Sequence, residues 1–225
     1  MKEITQYPFP VDQYIATETK KVQIYLHHTA GNPDPQGTYK WWESNTERVA
    51  TCVVIGGLPI NKTSTWKDGE IVQGYSSKYW AYHLGLKEST FQRFDLPYIS
   101  LDKISIGVEI CNWGQLTQKG DKFYNYVNKI VPNDQVCELD TSFKGFKFYH
   151  AYTDEQIESV RQLLLLWNQK YGIPLTYYTD IFDVTPRALK GESGIFTHNS
   201  VRTDKNDISP QPKMISMLES LSNAE

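Results

Sequence analysis

The segment VQIYLHHTAG (residues 22–31) predicts a buried strand that ends at a turn, with two histidines side by side. Successive side chains of a strand point to opposite faces of a sheet, so His27 and His28 should point apart. Ile24 and Leu26 should share the face of His28. One metal ion is therefore expected to take at most one of the two imidazoles, and a pair of purely structural histidines is the alternative.

Composition predicts one domain and excludes several classes of function. The chain has 225 residues, 40% of them hydrophobic, which suffices for the core of a single domain over residues 1–225. A formal net charge of -3 without a basic stripe argues against a nucleic-acid binder. Cys52, Cys111 and Cys137 form no CxxC pair, so neither a disulfide framework nor a cysteine zinc cluster is expected.

The amino-terminal stretch MKEITQYPFPVDQY (residues 1–14) has no apolar core of signal-peptide length. No apolar run elsewhere in the sequence is long enough to cross a bilayer. The chain is therefore expected to be synthesised in the cytoplasm without a signal peptide, and no membrane insertion is expected.

Strands and helices are predicted to alternate along the chain. Apolar patterns predict strands in TCVVIGG (residues 51–57), at Ile71 to Gln73 and in KISIGVEI (residues 103–110). A short helix is expected in TYKWWESNTERVA (residues 38–50). Alternating elements with some hairpin pairing favour an α/β fold, with a mixed central β-sheet flanked by helices on both faces.

The longest predicted helix begins after Thr153, a good N-cap residue with Gln156 at the capping-box position, and stops at Gly172. Residues 112–150 show no firm periodicity and are expected to form a loop insertion. A helix is also expected within the tail at residues 210–225, where apolar residues recur at helical spacing, namely Met214, Met217, Leu218 and Leu221.

Two further segments carry chemically useful side chains. In KISIGVEI, Glu109 falls on the face opposite the large apolar residues. The polar stretch FTHNSVRTDKNDISP (residues 196–210) reads as a loop and carries His198, Lys205 and Asp207. Two imidazoles and one carboxylate, with a fourth position open, suit a catalytic zinc ion, although a plain polar surface loop is the alternative.

Four motifs in this order resemble the zinc-dependent N-acetylmuramoyl-L-alanine amidases shared by phage lysozyme-amidases and peptidoglycan recognition proteins. They are IYLHHTAG, WAYHLG, SIGVEICNWG and THNSVRTDKNDISP, which begin at residues 24, 80, 105 and 197. The segments EICNWGQL and YTDEQI are most similar to the phage endolysin branch.

The resemblance implies a role for each candidate residue. Zn²⁺ would be held by His27, His198 and Asp207, with Glu109 as general base and Lys205 near the scissile carbonyl. On the opposite face, His28 would pack beside the site or contact substrate. The resemblance also implies substrate contacts in WAYHLG, where a structural or core role is the alternative for each of His83, Trp80 and Tyr82.

This chain departs from the family pattern at two places. Many relatives carry a tyrosine near the position of Val53, and its absence here shifts the role of base onto Glu109, for which a structural ion pair is the alternative. The last ligand is followed by Ile208 and Ser209, where several relatives have Pro-Gly, so a different local turn is expected here. A shifted loop would let Asp204 compete with Asp207.

The resemblance thus implies an enzyme that hydrolyses the amide between N-acetylmuramic acid and L-alanine in bacterial peptidoglycan. A phage or prophage endolysin that reaches the cell wall after membrane permeabilisation is expected. One alternative is a non-catalytic module that recognises peptidoglycan or muropeptides, although such binders typically lose a zinc ligand. The other is a cytosolic amidase that recycles muropeptides.

Overall fold

A computed structural model describes residues 2–224, which form two β-sheets and several helices. The strands, in chain order, are β1 (Ile4–Gln6), β2 (Gln23–His28), β3 (Val53–Ile55), β4 (Ile71–Gln73), β5 (Ser105–Ile110), β6 (Gln115–Lys119), β7 (Lys122–Tyr124), β8 (Ile130–Val131), β9 (Val136–Phe143), β10 (Phe146–His150) and β11 (Gly194–Thr197). The α-helices are α1 (Pro35–Glu43), α2 (Glu88–Gln92), α3 (Leu101–Ile104), α4 (Asp154–Tyr171), α5 (Pro186–Leu189) and α6 (Pro212–Ser222). Short 3₁₀ helices cover Val11–Gln13, Asn133–Gln135, Thr179–Phe182 and His198–Ser200.

The central sheet has the strand order β1-β4-β3-β5-β2-β11. All neighbouring pairs are parallel except β3 and β4, which pair antiparallel and make the sheet mixed. Every residue of β2, β5 and β11 is buried, which is the usual condition of parallel strands covered on both faces. The predicted mixed central sheet is thus confirmed.

Helices cover both faces of this sheet. On one face, α1 contributes Trp42 to the cleft in which His27 lies. On the opposite face, the His28 ring is hydrogen-bonded to the hydroxyl of Tyr152, which lies just before α4 (2.9 Å). The two adjacent histidines therefore point apart, as the alternation of strand side chains predicted.

The ends of the helices follow from their capping residues. In α4, Thr153 and Gln156 form the predicted capping box, and Gly172 ends the helix in the left-handed conformation (φ 67°). Helix α1 begins and ends earlier than predicted, because the Asp34 side chain caps it and Pro35 occupies the first turn.

Residues 112–150 are not the loop insertion that the sequence led us to expect. They contain a five-stranded antiparallel sheet with the order β8-β7-β6-β10-β9. Its strands are short or half-exposed; β9, for example, buries one residue of eight. The alternation of apolar and polar residues that would reveal these strands in the sequence is therefore weak. The sheet has buried side chains of its own outside the main hydrophobic cluster, namely Leu116, Val131, Leu139 and Tyr149.

The carboxyl-terminal tail forms the expected helix. Helix α6 packs against α4 and buries the residues that the spacing singled out, Met214, Met217, Leu218 and Leu221. Over residues 2–224, no helix combines the length and apolar character that a membrane crossing requires.

Candidate active site

Two histidines and an aspartate converge beside the ends of two neighbouring parallel strands. His27 lies near the end of β2, and His198 directly follows β11, which pairs with β2. Their Nδ1 atoms are 3.0 Å apart. Asp207 Oδ2 lies 3.1 Å from His27 Nδ1 and 3.0 Å from His198 Nδ1. Strand pairing thus brings His198 to His27 across 171 positions of sequence, and the following loop brings Asp207 across 180.

The loop that carries Asp207 is fixed to the turn after β11. The Asn199 side-chain amide donates to the backbone oxygens of Asp207 (2.9 Å) and Ile208 (3.0 Å). Ile208 and Ser209 are fully buried. The replacement of Pro-Gly by these two residues therefore leaves Asp207 beside the histidines.

Asp204, the alternative ligand, points elsewhere. Its carboxylate forms an ion pair with Arg202 (2.6 Å), and it does not belong to the cluster of converging ligand atoms. The arrangement favours Asp207 over Asp204 as the carboxylate ligand.

A chain of hydrogen bonds sets the tautomer of His27. The Ser105 hydroxyl donates to the backbone oxygen of Leu101 (2.7 Å), so its oxygen accepts from His83 Nε2 (2.9 Å). His83 Nδ1 then carries no proton and accepts from His27 Nε2 (3.0 Å). The unprotonated Nδ1 atom of His27 is left facing His198.

The tautomer of His198 is also fixed by a hydrogen bond. His198 Nε2 lies 3.1 Å from the backbone oxygen of Leu84, which can only accept, so the ring carries its proton on Nε2. Two nitrogen lone pairs and a carboxylate oxygen therefore meet within 4.8 Å of one another. Such a set of electron-pair donors is stabilised by a cation, and its composition fits a divalent metal such as zinc.

The protonation states also suit a metal site. Burial lowers the pKa of His27 to about 4, and the neighbouring His198 acts in the same direction. Burial alone would raise the pKa of Asp207, but charge attraction to and hydrogen bonds from the protonated forms of His198 and His27 hold it well below its usual value. Neutral imidazoles and an ionised carboxylate are the forms that bind metals.

Glu109 stands beside this cluster. It is the register partner of His27 in the parallel pair of β5 and β2, so both side chains emerge on one face. Burial raises the pKa of Glu109 well above its usual value, Asp207 raises it further and Lys205 opposes the rise. Glu109 forms no ion pair with any residue in the described part of the chain, so the structural ion pair finds no support.

These residues share a cleft of about 380 Å³. Gly107 lets His83 and Thr51 pack directly against β5, because a Cβ atom there would meet His83 Cγ at 3.1 Å and Thr51 Cγ2 at 2.8 Å. Lys205 is half-buried at the rim. The residues that line the cleft include His27, His28, Thr38, Trp41, Trp42, Thr51, His83, Glu109, Gln115, His198, Lys205 and Asp207.

The substrate contacts expected from WAYHLG divide into two groups. His83 lines the cleft, but both of its ring nitrogens are engaged by His27 and Ser105. Trp80 and Tyr82 are not brought to the cleft; Trp80 is buried, Tyr82 is exposed, and their rings pack edge to face at 5.5 Å. Isolated backbone bridges hold this segment, from Trp80 to Ile15 and from Tyr82 to Val49.

Sequence reasoning missed the aromatic residues that do line the cleft. Trp41 and Trp42 project from α1, and Trp41 is 66% exposed beside the site. The sequence did carry a signal, the adjacent pair Trp41-Trp42 on a predicted helix. An exposed tryptophan on a helix next to a polar site is unusual.

The chain matches a known protein family over most of its length. Residues 19–212 match the family described as N-acetylmuramoyl-L-alanine amidase. No curated protein matches the chain significantly.

Solved structures share the fold at low sequence identity. PlyL matches with a TM-score of 0.52 at 14% identity, covering 100% of this chain and 99% of PlyL. A mutant endolysin from Bacillus subtilis matches with a TM-score of 0.50 at 14% identity, covering 99% and 98%. The N-acetylmuramoyl-L-alanine amidase LysC from Clostridium intestinale matches with a TM-score of 0.50 at 11% identity, covering 98% of each chain.

The family match spans most of the chain and includes Glu109, Lys205 and all three converging side chains that could hold a metal ion. The chain belongs to the N-acetylmuramoyl-L-alanine amidase family.

Proposed function

We propose that this chain is a zinc-dependent hydrolase that cleaves the amide between N-acetylmuramic acid and L-alanine in bacterial peptidoglycan. The observation that carries the proposal is the convergence of His27 Nδ1, His198 Nδ1 and Asp207 Oδ2 beside Glu109 in one cleft. We treat residues 1–225 as a single catalytic domain.

The three ligands would hold the zinc ion with one position open to the cleft. When bound, zinc supplies Lewis acidity, which makes water a nucleophile at neutral pH and polarises an amide carbonyl. The hydrogen bonds from His27 to His83 and from His198 to Leu84 keep both Nδ1 atoms directed at the site.

Glu109 performs the proton transfers. Its carboxylate accepts a proton from the attacking water and delivers it to the departing amide nitrogen, which would otherwise be a poor leaving group. The raised pKa of Glu109 suits this exchange, because a more basic carboxylate takes the proton more readily.

Lys205 supplies positive charge at the rim of the same cleft. When water adds to the amide carbonyl, negative charge develops on the carbonyl oxygen. A nearby ammonium group stabilises that charge more strongly than the neutral ground state, which lowers the barrier.

We further propose that the enzyme is a phage or prophage endolysin, which reaches the cell wall once the membrane is permeabilised. Support comes from the fold shared with PlyL and with a Bacillus subtilis endolysin. The muropeptide-recycling amidase uses the same chemistry on soluble fragments. The non-catalytic recognition module is disfavoured, because the complete ligand set and Glu109 are both in place.

The bond that is cut decides between an amidase and a recognition module. Purified peptidoglycan is incubated with zinc-loaded protein, and amino-terminal labelling is run in parallel with a reducing-end assay. We expect new L-alanine amino termini and no new reducing ends. His27→Ala serves as the control and should bind no zinc by elemental analysis and release no alanine termini. Wall binding by zinc-loaded protein without either signal would establish the recognition module instead.

A further inference from the structure

A second cavity lies between the loop after β3 and the five-stranded sheet. Its volume is about 280 Å³, just below the range of about 300–1,000 Å³ typical of sites that enclose a whole small ligand. It therefore suits the end of a longer molecule. The residues that define it include Leu58, Ile60, Trp113, Asn125, Lys129, Ile130 and His150.

Asn125 presents an unpaired donor in this cavity. Its side-chain oxygen accepts from the backbone N–H groups of Val127 (3.2 Å) and Lys129 (2.9 Å), which fixes the orientation of the amide. The Nδ2 group is buried and has no hydrogen-bond partner within residues 2–224. An unpaired buried donor is costly, so this group is suited to bind an acceptor from outside the chain.

His150 adds a second donor. Its Nδ1 atom accepts from the backbone N–H of Trp113 (3.2 Å), so the neutral ring carries its proton on Nε2. Burial lowers the pKa of His150 to about 4, which keeps the ring neutral. Its Nε2 atom likewise forms no hydrogen bond to another residue of the described chain.

The charge and apolar surface of the cavity narrow the ligand class. Lys129 is the charged residue in its lining, and no acidic side chain belongs to that lining. Leu58, Ile60 and Ile130 are exposed on its walls at 39%, 66% and 55%. Donors and a cation favour an anion, and apolar walls favour a carboxylate attached to a small apolar group over a strongly hydrated phosphate.

A third cavity adjoins both the catalytic cleft and the second cavity. This third cavity shares Thr29 and Trp41 with the cleft and Gly31 with the second cavity, and Tyr126 lines it from the five-stranded sheet. An extended chain whose amide lies in the cleft can therefore follow one surface to the second cavity.

We propose that the second cavity binds the carboxylate end of the peptide whose first amide is cut in the cleft. The proposal rests on the proposed function for the identity of that peptide. Asn125 Nδ2, His150 Nε2 and Lys129 bind the carboxylate, and the apolar walls take the terminal side chain. The five-stranded sheet thereby selects substrates by the far end of their peptide.

The test uses two soluble probes, an N-acetylmuramoyl peptide with a free terminal carboxylate and the same compound with a terminal carboxamide. Kd is measured by calorimetry in the Glu109→Gln background, and KM and kcat in the otherwise unchanged enzyme. We expect the carboxylate to bind about tenfold to a hundredfold more tightly than the carboxamide, as hydrogen bonds to a charged group imply.

Asn125→Asp keeps an oxygen for Val127 and Lys129 but turns the donor into a negative charge. It should abolish the preference for the carboxylate and raise KM with little change in kcat. Asn128→Asp adds the same charge outside the cavity and should keep the preference. Thermal unfolding checks folding, and Lys129→Gln, at an exposed position, should reduce the preference even if Asn125→Asp is unstable.

Equal Kd values for the two probes would overturn the proposal, as would a preference that survives in both Asn125→Asp and Lys129→Gln. The proposed function fails separately. A protein that cleaves neither probe but prefers the carboxylate refutes the amidase activity and retains the site. A protein that cleaves both with equal KM retains the activity and refutes the site.

Discussion

The two sheets of this molecule treat polar side chains in opposite ways. In the central sheet, β2 and β5 are buried throughout, and the polar residues His27, His28 and Ser105 each have a defined partner. In the five-stranded sheet, most polar side chains are exposed and few are fixed. The comparison teaches that chemistry needs a whole set of groups whose orientation is imposed by burial, whereas a largely exposed sheet can serve recognition with a few fixed groups such as Asn125 and His150.

The largest expected effect lies in the central sheet. Glu109→Gln keeps the shape of the side chain but cannot accept a proton, so kcat should fall by about 10²–10⁴-fold while the zinc content is unchanged. Steady-state kinetics and elemental analysis measure the two quantities. Glu88→Gln, an exposed change of the same type, is the matched control. Near-normal kcat in Glu109→Gln would assign the base to another group.

Lys205 lies half-buried on a loop, and its substitution tests whether such a residue contributes to catalysis as the strand residue Glu109 does. Lys205→Ala should reduce kcat by about 10²–10³-fold if its ammonium faces the developing oxyanion. The exposed Lys190→Ala provides the control for loss of a positive charge. An unchanged kcat/KM would remove Lys205 from the mechanism.

His83 tests the buried hydrogen-bond chain itself. His83→Phe leaves His27 Nε2 without an acceptor and frees the tautomer, so zinc affinity should fall by about 10–100-fold. Competition with a chelator gives the zinc Kd, and thermal unfolding reports folding. His83→Gln, which can both accept and donate, should restore part of the affinity. Unaltered zinc affinity in a folded His83→Phe protein would show that His83 does not position His27.

The smallest effect is expected in the five-stranded sheet. Ile130 is 55% exposed, so Ile130→Ala should change the free energy of unfolding by no more than about 0.5 kcal/mol. Leu26→Ala in the fully buried β2 should cost about 2–5 kcal/mol. Urea unfolding measures both. Similar losses of unfolding free energy in the two variants would contradict the difference in burial between the two sheets.

The same difference explains which parts of the fold the sequence predicts. Period-two alternation separated His27 from His28 and placed Glu109 opposite the apolar face, because buried strands impose a strict pattern. The capping box of α4 was equally predictable from the sequence, since it depends on residues three positions apart. The short, half-exposed strands of residues 112–150 impose no such pattern and were missed.

The site was predictable only where local sequence carries the signal. The resemblance named His27, His198 and Asp207, which the structure brings together. The contact of His83 with His27 joins positions 56 residues apart, and no local pattern encodes it. Trp80 and Tyr82 illustrate the same limit, because the bridges that place them, to Ile15 and Val49, are long-range pairings.

The five-stranded sheet leaves and rejoins the rest of the chain at one point. The backbone N–H of His150 donates to the oxygen of Gly114 (2.8 Å), and the Asn112 side-chain amide donates to the oxygen of His150 (3.0 Å). Positions held this close can be connected by a two-residue hairpin turn. The junction is thus a natural splice point, where evolution or an engineer can exchange a whole module for a turn while the catalytic strands keep their register.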